Sequence, residues 1–169
     1  MTERECLLKL TALCSRAEHC TGEMLEKMRR WEIDEPTQAR IMEYLVKRQY
    51  VDDARFCRVF IRDKVAYNKW GRRKVEQALY AKRVPRAVYA PILDEIEAEE
   101  YAETLRPLLE KKRKSIKAKN DYELRTKLIR FALSRGFDMN VIRQCIDQAD
   151  EYPEDNDDFC DAADGYTED

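Results

Sequence analysis

Lys69, Arg72, Arg73 and Lys74 crowd six consecutive residues, and Lys82, Arg83 and Arg86 follow one helical length later. Lys111, Lys112, Arg113 and Lys114 then open a run of six bases in nine residues that closes with Lys117 and Lys119, and Arg125, Lys127, Arg130 and Arg135 extend it. Ammonium and guanidinium groups gathered in this way bind phosphates or carboxylates, a chemistry of recognition rather than of bond breaking. The first cluster falls where a helix is expected to begin, so backbone amides would add to its positive field. Tyr67, Trp70 and Tyr80 lie beside these bases and offer ring faces on which nucleic-acid bases could stack. For each cluster alone a solvated helix face is the competing explanation, and for the rings a place in the core. Recurrence along the chain favours a stripe facing an anionic partner.

Catalytic chemistry is thin by comparison. An enzyme needs a nucleophile, a tuned acid or base, or a metal on a rigid frame. The chain has one histidine, His19, and no G-x-S-x-G, phosphate-binding loop or dinucleotide fingerprint. Cys6, Cys14, His19 and Cys20 could imitate a zinc cluster, but their spacing matches no standard arrangement. Asp52 and Asp53 could act as paired carboxylates, or they could begin a helix, which needs fewer assumptions. No catalytic, cofactor-binding or metal residue is assigned, and the chain is read as not an enzyme.

The formal charge of −2 over 169 residues conceals two opposed parts. Residues 147 to 169 hold 11 acids and no base, which leaves a net +9 on the first 146. The six cysteines form no C-x-x-C, no signal peptide precedes them, and no apolar run approaches a membrane span, so a cytoplasmic protein with free thiols and no membrane contact is expected. With 39% charged residues and four glycines, the composition favours an extended, all-α protein.

The elements that must carry these bases are set by a repeat. Met24, Met28, Ile33, Ile41, Met42 and Leu45 define an apolar pattern that recurs as Val75, Leu79, Val84, Ile92, Leu93 and Ile96, and again as Leu128, Ala132, Phe137, Cys145, Ile146 and Ala149. The intervals within each set are identical, and the sets are offset by 51 and then 53 residues. Tandem supersecondary units have this signature, and function in such arrays tends to lie on a continuous surface. Helices are expected over 2–16, 23–31 and 34–47, then from Asp52 and Asp53 to about Asn68 with Phe56, Val59, Phe60 and Val65 facing the core. Further helices are expected over 72–82 and 85–97, from Glu99 to about Lys119, over 121–135 and over 138–149. Pro91 should bend or break its helix and Pro107 should bend the next, while Gly136 is placed as a left-handed helix end. This gives three three-helix repeats, at 1–49, 50–97 and 98–150, and a disordered acidic tail at 151–169.

Three stretches carry a resemblance. Tyr50-Val51-Asp52-Asp53-Ala54-Arg55-Phe56, then Lys69-Trp70-Gly71-Arg72-Arg73-Lys74-Val75 with Leu79, then Ser134-Arg135-Gly136-Phe137 resemble, in order and spacing, the RecX family of bacterial recombinase regulators. The resemblance covers roughly residues 5 to 149, and the first heptad is its most specific piece. It implies an elongated, curved array of three tandem three-helix repeats lying in the groove of a RecA filament on single-stranded DNA, where it restrains filament growth, ATP hydrolysis and strand exchange. The implied partners are the RecA filament and single-stranded DNA, with the chain a monomer. The family often has glycine before the third apolar column, where this chain has Glu32 and Arg83, so those helices are expected to end one residue sooner. Val51 replaces the usual leucine, and the acidic tail has no counterpart in the family pattern. The main alternative is a helix-turn-helix-like transcription factor, against which the repeat argues because three units in series have no natural twofold axis.

Overall fold

The computed structural model describes residues 1–146, and among them it contains nine α-helices and no strand. The expected tail at 151–169 and the column residue Ala149 lie outside the described residues. In order the helices are α1 (Glu3–Arg16), α2 (Thr21–Arg30), α3 (Glu35–Lys47), α4 (Asp53–Ala66), α5 (Arg72–Ala81), α6 (Arg86–Asp94), α7 (Ala98–Ser115), α8 (Asp121–Ser134) and α9 (Met139–Cys145). The described residues divide into two compact units. One comprises Met1–Ile61 with Gln77–Ile92, the other Arg62–Glu76 with the chain from Leu93 onward.

In the first unit, Thr2 and Glu5 form a reciprocal capping box that starts α1. Asp34 caps α3 by accepting from the Thr37 amide, and Pro36 is tolerated because the first turn asks no hydrogen bond of it. Cys6, Leu10, Met24, Met28, Ile41 and Leu45 fill the space between α1, α2 and α3. α2 begins two residues earlier than Glu23, the expected start. The Thr21 amide, which Cys20 does not cap, donates to Asp53 Oδ1 at 2.8 Å, so a carboxylate from the start of α4 serves the start of α2. Gly22 is required there, since a Cβ would lie 2.0 Å from the Lys82 carbonyl oxygen. Asp52 takes the capping role expected of it, accepting from the Arg55 amide at 3.1 Å. On α4, Phe56, Cys57 and Ile61 are buried but Val59 is 44% exposed, contrary to expectation. It lies roughly 200° round the helix from Cys57.

In the second unit, α7 contributes Tyr101, Ala102, Leu105 and Leu109 to a core completed by Leu128, Ile129, Ala132, Phe137, Val141 and Ile142. α7 continues through Pro107 to Ser115. Pro107 is on the exposed side, where the carbonyl it leaves without an amide can face water. The helix stops at Ser115, so Lys117 and Lys119 lie beyond it rather than at its end. α6 runs through Pro91 and ends at Asp94, three residues short of the expected end at Glu97.

Columns of the repeat are buried at equivalent places: Met28, Leu79 and Ala132 are fully enclosed, and Met42, Leu93 and Ile146 are all buried. The turns that follow α2, α5 and α8 are the same turn. The amides of Ile33, Val84 and Phe137 donate to the carbonyls of Met28, Leu79 and Ala132, and those of Glu32, Arg83 and Gly136 to Arg29, Tyr80 and Leu133. Each is a left-handed helix end, with φ of 57° at Glu32, 61° at Arg83 and 89° at Gly136. Glu32 and Arg83 therefore do not shorten their helices: α2, α5 and α8 all stop two residues before this position. Both side chains are exposed, so they meet no obstacle to set against the modest backbone cost of a left-handed residue.

Candidate functional site

The basic residues singled out by spacing fall into two classes, those bound into the fold and those left to solvent. Arg72 belongs to the first. Its Nε lies 2.7 Å from Glu76 Oε1 and its Nη2 2.7 Å from Asp94 Oδ1. The hydrogen bond to Glu76, opposed by partial burial and reinforced by Asp94, raises its already high pKa. Lys82 is also held, with Nζ 3.3 Å from Glu23 Oε2 and 5.9 Å from the centroid of Phe60. Burial disfavours the ionised form of Glu23, but the Cys20 amide and the Lys82 ammonium outweigh it and hold the carboxyl below the usual range.

The expected contribution of backbone amides at the start of α5 is altered by the fold. The Gly71 amide donates to the Arg135 carbonyl at 2.8 Å and the Arg73 amide to the Gly136 carbonyl at 2.9 Å. Two of the donors that would have faced an anion are thus taken by the turn after α8. The approach is close enough that a Cβ on Gly71 would lie 2.3 Å from the Phe137 nitrogen. This contact brings the cluster around Lys69 beside Arg135. Arg73 remains 66% exposed, with its Nε 3.4 Å from Asp138 Oδ1. Lys69 sits in a left-handed turn with its ammonium on the Ala66 carbonyl.

The rings follow the same division. Trp70 is half-buried, with the ammonium groups of Lys64 and Lys74 at 4.8 and 4.5 Å from its ring. Lys64 escaped the sequence reading because it lies outside the basic clusters, and its relation to Trp70 depends on the turn between them. Tyr67 and Tyr80 are 79% and 77% exposed, so neither is a core residue. Lys112 and Arg135 lie 5.2 and 5.4 Å from the ring of Phe131, joining two bases from separate sequence clusters.

Lys111, Arg113 and Lys114 are exposed in the last turns of α7, where positive charge also complements the helix end. Lys127 pairs with Glu123 at 3.1 Å and donates to the Lys117 carbonyl at 2.7 Å. Arg125 is half-buried and Arg130 exposed on the same helix, α8. Arg83 and Arg86 are exposed and, with Tyr80, line a cleft of about 540 Å³ floored by Val84 and Tyr89. No carboxylate lines that cleft.

Among the described residues no group of His, Cys, Asp and Glu is arranged to hold a metal ion, and no helix is long and apolar enough to cross a membrane. Burial pushes the thiols of Cys20 and Cys57 up to about 11, so they stay protonated and poorly nucleophilic near neutral pH. Each unit thus carries exposed cations and rings, groups that can bind anions and stack on flat ring systems.

Residues 52–90 match the family model for the second three-helix domain of RecX, and residues 99–146 that for the third. The regulatory protein RecX of Chlorobium limicola is 32% identical over 142 residues, covering 82% of this chain and 84% of its own length. That of Oceanobacillus iheyensis is 31% identical over 129 residues, covering 76% of this chain and 47% of its own length, so the chain spans about half of that relative. A crystal structure of a regulatory protein RecX has the same fold, with a TM-score of 0.79 at 16% identity, covering 85% of this chain and 72% of the other.

Proposed function

This chain belongs to the RecX family, and on that premise we propose that it is a non-catalytic regulator of the RecA recombinase. It binds the RecA–DNA filament and restrains filament growth, ATP hydrolysis and strand exchange. It does so as a monomer built of three-helix repeats at 1–49, 50–97 and 98–150, working in the cytoplasm. The observation that carries this reading is the set of cations left unneutralised on the surface. Lys111, Arg113 and Lys114 at the end of α7, and Arg83 and Arg86 at the turn from α5 into α6, are exposed with no acidic partner among the described residues, whereas Arg72 and Lys82 are consumed by ion pairs within the fold. A protein filament on DNA, with its row of phosphates, is the type of partner such residues serve.

The test is ATP hydrolysis by RecA assembled on single-stranded DNA. Adding the protein should lower the rate in proportion to its concentration. Reversing the charge at Lys111, Arg113 and Lys114 together should weaken that effect while leaving helix content by circular dichroism unchanged. An ATPase rate indifferent to the wild-type protein rejects the reading.

A further inference from the structure

We infer that the cleft over Val84 and Tyr89 is a contact for single-stranded DNA, in which an unpaired base stacks on Tyr80 while neighbouring phosphates lie on the guanidinium groups of Arg83 and Arg86. This deepens the reading above, on which it rests only in taking DNA as the polyanion that the chain meets.

Three observations converge on it. The first is exposure: a tyrosine 77% open to solvent at the end of a helix buries little for the fold, and among the described residues its ring makes no stacking or cation-π contact, so its face is open. The second is charge. Among the described residues Arg83 and Arg86 have no ion pair, and the cleft they share holds no carboxylate; Arg83 also borders the neighbouring cleft beside Gly22, which contains Glu23 and Glu26, while Arg86 does not. The third is the turn. The left-handed Arg83, with its amide on the Tyr80 carbonyl and that of Val84 on Leu79, folds the chain back so that the last turn of α5 and the first residue of α6 line one cleft.

The same turn occurs in the other two repeats without this chemistry. At the positions of Tyr80, Arg83 and Arg86 the first repeat has Arg29, Glu32 and Glu35, and the third has Leu133, Gly136 and Met139. In the first, Arg29 is neutralised by Glu26 at 3.1 Å. A turn needed only for folding explains the shared backbone but not the aromatic ring and two unpaired arginines found in one repeat of three. A stacking face beside cations is what a single strand requires, since each base presents a π-face and each linkage a charge. Duplex DNA keeps its bases stacked on one another, and an acidic polypeptide has no flat ring system in each unit to place on Tyr80.

The test omits the recombinase, so its failure is separable from failure of the regulatory reading. Binding of the full-length protein is measured by fluorescence anisotropy to a labelled thymidine oligomer and to an abasic oligomer of equal length. Tyr80→Ala should weaken binding to the thymidine oligomer roughly tenfold and leave the abasic oligomer unaffected, and Tyr80→Phe should restore it. Arg83→Gln with Arg86→Gln should weaken both and reduce the salt dependence by about 1.4 in the slope of log K against log salt. An unchanged affinity for Tyr80→Ala, or equal losses on both oligomers, overturns the stacking contact. Poly-glutamate binding with the same strength and the same dependence on Tyr80 would make the cleft a protein-docking surface instead.

Discussion

Arg72, the first residue of α5, holds Asp94, the last residue of α6, by a guanidinium-to-carboxylate contact of 2.7 Å. The same side chain grips Glu76 one turn along its own helix. Arg72 was drawn from the sequence as part of an anion-facing cluster, but its donors are already committed. Arg72→Ala should lower stability by about 1 kcal/mol in a urea titration, the scale of a partly screened ion pair. Affinity for single-stranded DNA should barely change. A large loss of affinity at unchanged stability would return Arg72 to the binding surface.

The three left-handed turns predict opposite outcomes for similar changes. Glu32→Gly relieves a strained backbone while loosening the unfolded chain, so stability should stay within about 1 kcal/mol of wild type. Gly136→Ala adds a methyl group where the Lys74 nitrogen and Cβ would both be 2.5 Å away. It should cost more than 2 kcal/mol, at the upper end of about 1–3 kcal/mol for overpacking with backbone displacement. Thermal unfolding of the two variants side by side makes the comparison, and equal stabilities would show that the α5 start does not press on Gly136.

Tyr101 is buried with no hydrogen-bond partner for its hydroxyl among the described residues, and burial pushes its phenol up to about 12 from an ordinary value of 10.0. Because the folded value is the higher, the unfolded chain ionises first. Ionisation of the phenol therefore costs no stability below pH 10 and drains it as pH rises from 10 toward 12. Tyr101→Phe removes the unsatisfied hydroxyl and should raise stability by about 1 kcal/mol at pH 7, with a larger advantage at pH 11. Urea midpoints at the two pH values measure this, and an advantage that does not grow with pH would show that the phenol is not enclosed.

Much of the fold was legible because apolar spacing and caps are local. The columns through Leu79, Leu93 and Leu128 are buried, and Asp34 and Asp52 cap the helices whose starts they marked. What escaped depends on partners distant in sequence. α2 starts early because Asp53 receives its Thr21 amide, and Arg72 leaves the surface because Asp94 meets it. Glu32 and Arg83 hide their turn because residue type suggests glycine, while the hydrogen-bond pattern tolerates any side chain with open space before it. Within the candidate site, the sequence located the cations but could not say which were neutralised. The distinction between Lys82 and Arg83, adjacent residues with different surroundings, exists only after folding.

The pairing of Gly71 and Arg73 with the carbonyls of Arg135 and Gly136 also sets a timetable. The acceptor at 135 is translated 64 residues after the donor at 71. At about 5–20 residues per second, the start of α5 waits roughly 3 to 13 seconds on the ribosome before its partner exists. The first unit has all its residues once Ile92 has emerged, so it can form while the second still lacks α7, α8 and α9. During that interval the residues from Arg62 to Glu76 belong to a unit not yet made. Nascent chains halted before Arg135 should therefore offer this segment to proteases and chaperones, while the first unit resists them.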